Sequence, residues 1–207
     1  MKKISPLFIR LFLYAALMWI ISAIIASDFT EGDFTEASLT EKTQELFLGV
    51  IILSLGFLAW SEKNFRIIAS LMALFFLTHL FRENDDVFDA RVFDGFWQLI
   101  VWTTVAICAI ITIKNFKTFI QQLAEIHNRF SFAIVLTGLV ILHVFSRLYG
   151  RTTNWANLMQ DEYLRTVKDA SEESIELLGY SIILIGVLEM VYYVKKNRPL
   201  SDSSDGS

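Results

Sequence analysis

Apolar positions in this chain neither alternate with period two nor, over most of its length, fall on one helical face. They run together. Six stretches, 7–26, 43–60, 65–81, 95–113, 130–146 and 174–194, are apolar on nearly every side for close to the roughly 20 residues that a bilayer-spanning helix needs. A helix that is hydrophobic all round has no water-facing side. The pattern therefore predicts an all-α, polytopic membrane helix bundle with about six transmembrane helices. The second, third and fifth stretches are short, which predicts little tilt or a locally thin bilayer. Both prolines, Pro6 and Pro199, lie outside the long runs, so no span carries a proline kink. The two halves show no repeated motif.

Two further segments do have helical periodicity. In "KNFKTFIQQLAEIHNRF", Phe116, Phe119, Ile120, Leu123 and Ile126 share one face and are flanked by Lys114, Lys117 and Arg129. This reads as an amphipathic helix on the membrane surface, or as an extension of a neighbouring span. In residues 152–174, Trp155, Leu158, Met159, Tyr163 and Val167 recur similarly, with Asn154 as N-cap. An ordered helix is expected there, covering one end of the bundle or resting on the leaflet. Residues 27–45 are acidic and aperiodic, which predicts a flexible loop. Residues 1–198 thus form one membrane domain, and 199–207 form a disordered tail.

Composition agrees with the spans. Of 207 residues, 54% are hydrophobic and 19% charged, whereas soluble domains carry about a quarter charged residues. Cys108 is the single cysteine, so no internal disulfide exists, and Cys and His are too few for a zinc finger or an iron–sulfur cluster. No Gly-rich phosphate loop and no soluble domain is present. Nucleotide and nucleic-acid partners are therefore not expected. The bilayer is the first partner, and a membrane-protein partner is the second.

Charge sets the sidedness. With the N-terminus inside, the inner segments hold eleven basic and five acidic residues, a net +6, and the outer ones seven basic and seventeen acidic, a net −10. Lys and Arg prefer the cytoplasmic side, so both termini are expected in the cytoplasm. Residues 1–26, ending in "AIIAS", have some features of a signal peptide, but the apolar run is long for one and contains Trp19. An uncleaved first span is the reading taken.

Candidate chemistry gathers at the ends of three spans on the acidic side. His79 and Glu83 are four apart, with Asp86 about one turn further; His143 and Arg147 are four apart, as are Glu172 and Glu176, preceded by Lys168. Residues four apart share a helix face. His79 and His143 lie about 3–5 Å inside their span ends, at matching depth. Gly179, Ile183 and Gly186 continue the Glu176 side of its helix, and small residues mark close packing between spans, so Glu176 is expected to point into the bundle. Ionisable groups in the apolar layer are costly and tend to be functional. The expected polar cluster is His79, Glu83, Asp86, His143, Arg147, Glu172 and Glu176. A metal ion held by His79, Glu83, His143 and Glu176 is one use of it, and a transported proton is another. Bis-histidine haem through His79 and His143 is weakly indicated, and no cofactor at all is the leading expectation.

Elsewhere, Asp85, Asp89 and Asp94 read as loop or cap residues partly neutralised by Arg82 and Arg91. His127 reads as a wet surface histidine, and Glu189 as a partner for Arg10 or Lys195. Gly49 and Gly56 read as a packing face, and Trp60 and Trp97 as interfacial anchors.

The stretches "LFRENDDVFD", "VFSRLYGR" and "EYLRTVKDASEESIELLGY" resemble uncharacterised multi-pass bacterial inner-membrane proteins with similar charged segments. The resemblance implies a bacterial inner membrane and supplies no activity or functional residue. Membrane-embedded hydrolases of the alkaline ceramidase and progestin-receptor type place a histidine pair on a late helix, where this chain has carboxylates, so that activity is disfavoured. Three functions remain as expectations: a small transporter or a cation- or proton-binding protein with an acidic mouth; an accessory or scaffold subunit of a larger membrane complex; and an interfacial enzyme acting on lipid or envelope precursors. An enzyme is the least supported, because no nucleophile–base pair is identifiable.

Overall fold

The computed structural model describes residues 5–32, 34, 38–85, 88, 91–93 and 95–196. Among them are eight helices and no strand: α1 (Ser5–Glu31), α2 (Leu39–Ser61), α3 (Arg66–Glu83), α4 (Phe96–Lys114), α5 (Phe116–Ile126), α6 (Phe130–Tyr149), α7 (Thr152–Met159) and α8 (Arg165–Lys196). Six of these, α1 to α4, α6 and α8, are long and apolar enough to cross a membrane. The chain is a multi-pass membrane protein built as a helical bundle.

α8 is the central element. It packs along α6 and α2, α2 packs in turn on α3, and α1 lies against α2 and α8. Leu177, Tyr180, Ile183 and Val187 of α8 are fully buried, as are Leu48, Ile51, Leu55 and Leu58 of α2. In lipid there is no hydrophobic drive between helices, so such contacts gain from close packing. The α6–α8 seam shows it. A Cβ at Gly138 would stand 2.9 Å from the Gly179 carbonyl oxygen, and one at Gly186 would stand 2.8 Å from the Val135 nitrogen. The small-residue face expected beside Glu176 is thus a backbone-to-backbone contact. Gly49 and Gly56 behave differently from the expected packing face, since a Cβ at either would meet nothing within 4 Å.

Polar residues extend the helices beyond the apolar runs. Part of the loop expected over 27–45 is helical. α1 continues to Glu31, where the buried Asp28 carboxylate accepts hydrogen bonds from the Leu39 and Thr40 amides at 3.1 and 2.7 Å. Ser38 adds a bond from the Glu41 amide at 3.2 Å. These bonds satisfy the first amides of α2, which have no partner within their own helix. α5 is a separate helix, as its periodicity allows, and Gln122 turns it onto the bundle by accepting the Ile68 amide at 3.0 Å.

The helix expected over 152–174 is two helices. The chain breaks at Gln160, whose φ of 51° is left-handed, and α8 begins at Arg165. Asn154 does not cap; its amide donates to the Leu148 carbonyl at 2.9 Å. No residue of α7 is buried, so its apolar side chains lie at the surface.

Candidate functional site

Charged and titratable side chains gather at one end of α3, α6 and α8. On α3 the last turn carries His79, Arg82 and Glu83. On α6 a wide turn of π-helix spans Ile141–Phe145 and contains His143. Such a turn inserts a residue into the ladder and recurs at functional sites. It turns His143 toward α3, while Arg147 beyond it reaches α8.

Glu176 is the hub. Its side chain is 4% exposed, and its carboxylate meets Arg147 at 3.2 Å, Arg82 at 4.0 Å and the Ser146 hydroxyl at 3.0 Å. Ser146 Oγ is also 3.0 Å from the Leu142 carbonyl, so its one hydrogen serves one acceptor at a time. Arg147 reaches Glu172 at 3.0 Å, and Lys168 pairs with Glu172 as well. Glu83 Oε1 accepts from Arg82 and, at 2.7 Å, from the buried Tyr180 hydroxyl. Three cations therefore interlock with three carboxylates. Next to them, Gln44 of α2 donates to the Glu173 carboxylate at 3.0 Å and to its carbonyl at 3.1 Å, which ties a fourth helix to the group.

The two histidines form a pair. Nε2 of His79 is 3.1 Å from Nε2 of His143, and Nδ1 of His79 is 2.9 Å from the Phe75 carbonyl. A carbonyl only accepts, so His79 carries its hydrogen on Nδ1. Its bare Nε2 then accepts from the Nε2–H of His143, which leaves Nδ1 of His143 without a hydrogen. One more proton fits on that nitrogen without breaking either bond. A second, on His79 Nε2, would set two N–H groups against each other. His79 is buried and His143 is exposed, with Phe75 packing beside both rings at 4.6 and 6.2 Å.

The structure thus brings His79 to His143 and Arg147 to Glu172 and Glu176, while Glu83 reaches this second group through Arg82. Asp86, Asp89 and Asp94 lie outside the described residues. Arg82, read from sequence as a neutraliser of the loop acids, belongs to the network instead. Ser146, Tyr180 and Gln44 were not singled out from sequence. The described residues hold no group of three or more His, Cys, Asp or Glu arranged about one metal position. Glu83 and Glu176 face arginines instead of the histidines. Nor do the paired rings leave a gap for haem iron, since their nitrogens are within hydrogen-bond distance of each other.

Elsewhere, Glu189 pairs with Arg10 at 3.2 Å and accepts from Tyr14 at 2.5 Å. Lys195, the other partner considered for it, pairs with Glu62 at 2.9 Å. Compared with known proteins, the chain matches no family model, no curated protein and no solved structure.

Proposed function

We propose that this is a small proton-binding membrane protein of the bacterial inner membrane, of transporter or ion-binding type. Its acidic end faces outward and its histidine pair takes up one proton at a time. The observation that carries this reading is the 3.1 Å contact between His79 and His143 on two different helices. The pair has one vacant nitrogen, on the more exposed ring, beside an ion-paired network that joins the same two helices to α8. Adding charge at His143 puts a cation near Arg82 and Arg147, which already share Glu176. Protonation therefore weakens the hold of those arginines on the Glu176 carboxylate they share and biases how α3, α6 and α8 pack. A proton-linked shift of this kind requires a difference in packing energy between the two states, and this network supplies it.

The test is nitrogen NMR of ¹⁵N-histidine-labelled protein in nanodiscs, titrated from about pH 8 to about pH 3, a range that extends well below the ordinary histidine pKa of about 6.5. The expected result is one proton per pair, lost with His79→Gln. In proteoliposomes with an imposed gradient, the wild-type chain should quench a pH-sensitive dye faster than the variant. Two independent titrations, one at each ring, would overturn the reading.

A second reading, the accessory subunit, is favoured by one observation. Leu53, 74% exposed, and the open Gly49 line a groove of about 670 Å³ between α2 and α3. Photocrosslinking from position 53 in cells would give one discrete protein adduct on this reading, and lipid adducts alone would remove it. The enzyme reading gains nothing, because Ser146, the hydroxyl that meets Glu176, is fully buried.

A further inference from the structure

At the opposite end of the bundle, α1, α6 and α8 leave two adjoining hollows. The first, about 540 Å³, has an apolar wall made by Ile9, Leu13 and Leu17 of α1 with Ile185 and Leu188 of α8. The second, about 420 Å³, is rimmed by Arg10, Arg129 and Lys196. Arg10, Glu189 and Tyr192 line both, so apolar wall and basic rim are continuous. Ile9 and Leu13 are each 57% exposed and Leu188 is 47% exposed, which opens the wall sideways, toward the lipid.

The rim is unbalanced in charge. Among the described residues Glu189 is the one carboxylate lining either hollow, and Arg10 and the Tyr14 hydroxyl already engage it. Arg129 and Lys196 make no ion pair among the described residues. They are held against aromatic rings, Arg129 over Tyr193 at 4.5 Å and Lys196 over Tyr192 at 5.6 Å, with Arg10 over Tyr192 at 4.9 Å. Three cations from three segments thus converge beside a hydrocarbon wall.

We propose that this groove holds an anionic phospholipid, with its phosphate among Arg129, Lys196 and Arg10 and one acyl chain along the α1–α8 wall. Basic pockets between spans bind anionic headgroups. A soluble phosphate would use only the rim, and a zwitterionic lipid would bring its own cation to it. An anionic lipid fits both halves. It would also fill the seam beside α1, whose apolar window is only 6% buried within the chain.

The experiment is native mass spectrometry of the full chain purified from detergent and offered equal amounts of phosphatidylglycerol and phosphatidylcholine with matched acyl chains. Phosphatidylglycerol should be retained in preference. Arg129→Ala with Lys196→Ala should reduce that preference by about tenfold or more, by the attraction expected of two basic residues. Lys114→Ala with Lys117→Ala, at the same end but outside the groove, should leave it unchanged. Leu188→Trp, which fills the wall and keeps the cations, should also lower retention, so that the two halves are tested by different variants. Equal retention of the two lipids would overturn the proposal, as would equal losses from the two double-alanine variants. Displacement by inorganic phosphate would assign the rim to a soluble anion, and retention of a protein in place of lipid would assign the groove to a partner helix.

Discussion

Glu176 illustrates what a single charge does inside this bundle. Its carboxylate is shared between Arg147, Arg82 and Ser146 with almost no exposure. Glu176→Gln keeps the shape and removes the charge, so two guanidinium groups are left around a neutral amide. Breaking a buried pair from one side costs about 3–5 kcal/mol. The midpoint of unfolding in detergent should fall accordingly, while Arg91→Ala, at an exposed position, should stay within about 0.5 kcal/mol. Equal tolerance at the two positions would reduce the network to an accident of helix ends. Tyr180→Phe removes one donor from Glu83 and should cost about 1 kcal/mol. Combined with Glu83→Gln it should cost less than the two separately, because the two residues touch. The spacings His79–Glu83, His143–Arg147 and Glu172–Glu176 locate these residues at helix ends but not their partners, which come from other helices: His79 meets His143, Glu83 meets Tyr180, and Arg147 meets Glu172 and Glu176. Arg82 could not be placed from spacing, since it is adjacent to Glu83 and its direction depends on where α8 lies. Tyr180 and Ser146 look like ordinary members of apolar spans until another helix brings them a carboxylate.

Two pairs of glycines make the same point for whole helices. Gly138 and Gly186 sit in the α6–α8 seam, where an added Cβ would press on backbone atoms that cannot move aside. Gly138→Ala and Gly186→Ala should each destabilise by about 1–3 kcal/mol through overpacking. Gly49→Ala and Gly56→Ala have open space and should be neutral or stabilising in the isolated chain, by up to about 1 kcal/mol from helix propensity. Thermal unfolding of the four variants in one detergent checks both halves of the prediction, and uniform loss across all four would contradict it. Length and hydropathy locate the spans, because the bilayer demands apolar residues on every side. They do not locate the ends. Between Arg165 and Ser174 the helix is held by Arg165–Asp169 and Lys168–Glu172 pairs, which no apolar run announces. The π turn at Ile141–Phe145 is equally silent in the sequence, since its residues are as apolar as their neighbours apart from His143.

For the molecule as a whole, orientation joins the two ends of the bundle into one scheme. The cluster end holds His79, Glu83, Arg147 and Glu176, and the segments on that side carry a net charge of −10; the groove end holds Arg10, Arg129 and Lys196, and its side carries +6. Basic residues near span ends are retained on the cytoplasmic side. On the orientation proposed above, the groove would face the leaflet where anionic headgroups attract Lys and Arg, and the histidine pair would face outward, where the acidic surface concentrates cations, protons among them. A fluorescent protein fused after Ser207 should therefore be bright and a phosphatase fused there inactive. Phosphatase inserted between α7 and α8, near Glu162, should be active. The reverse pattern at both sites would invert the molecule. His143 would then sample the cytoplasm and the basic groove the outer leaflet, and both the proton-loading reading and the source of the bound lipid would have to be reassigned together.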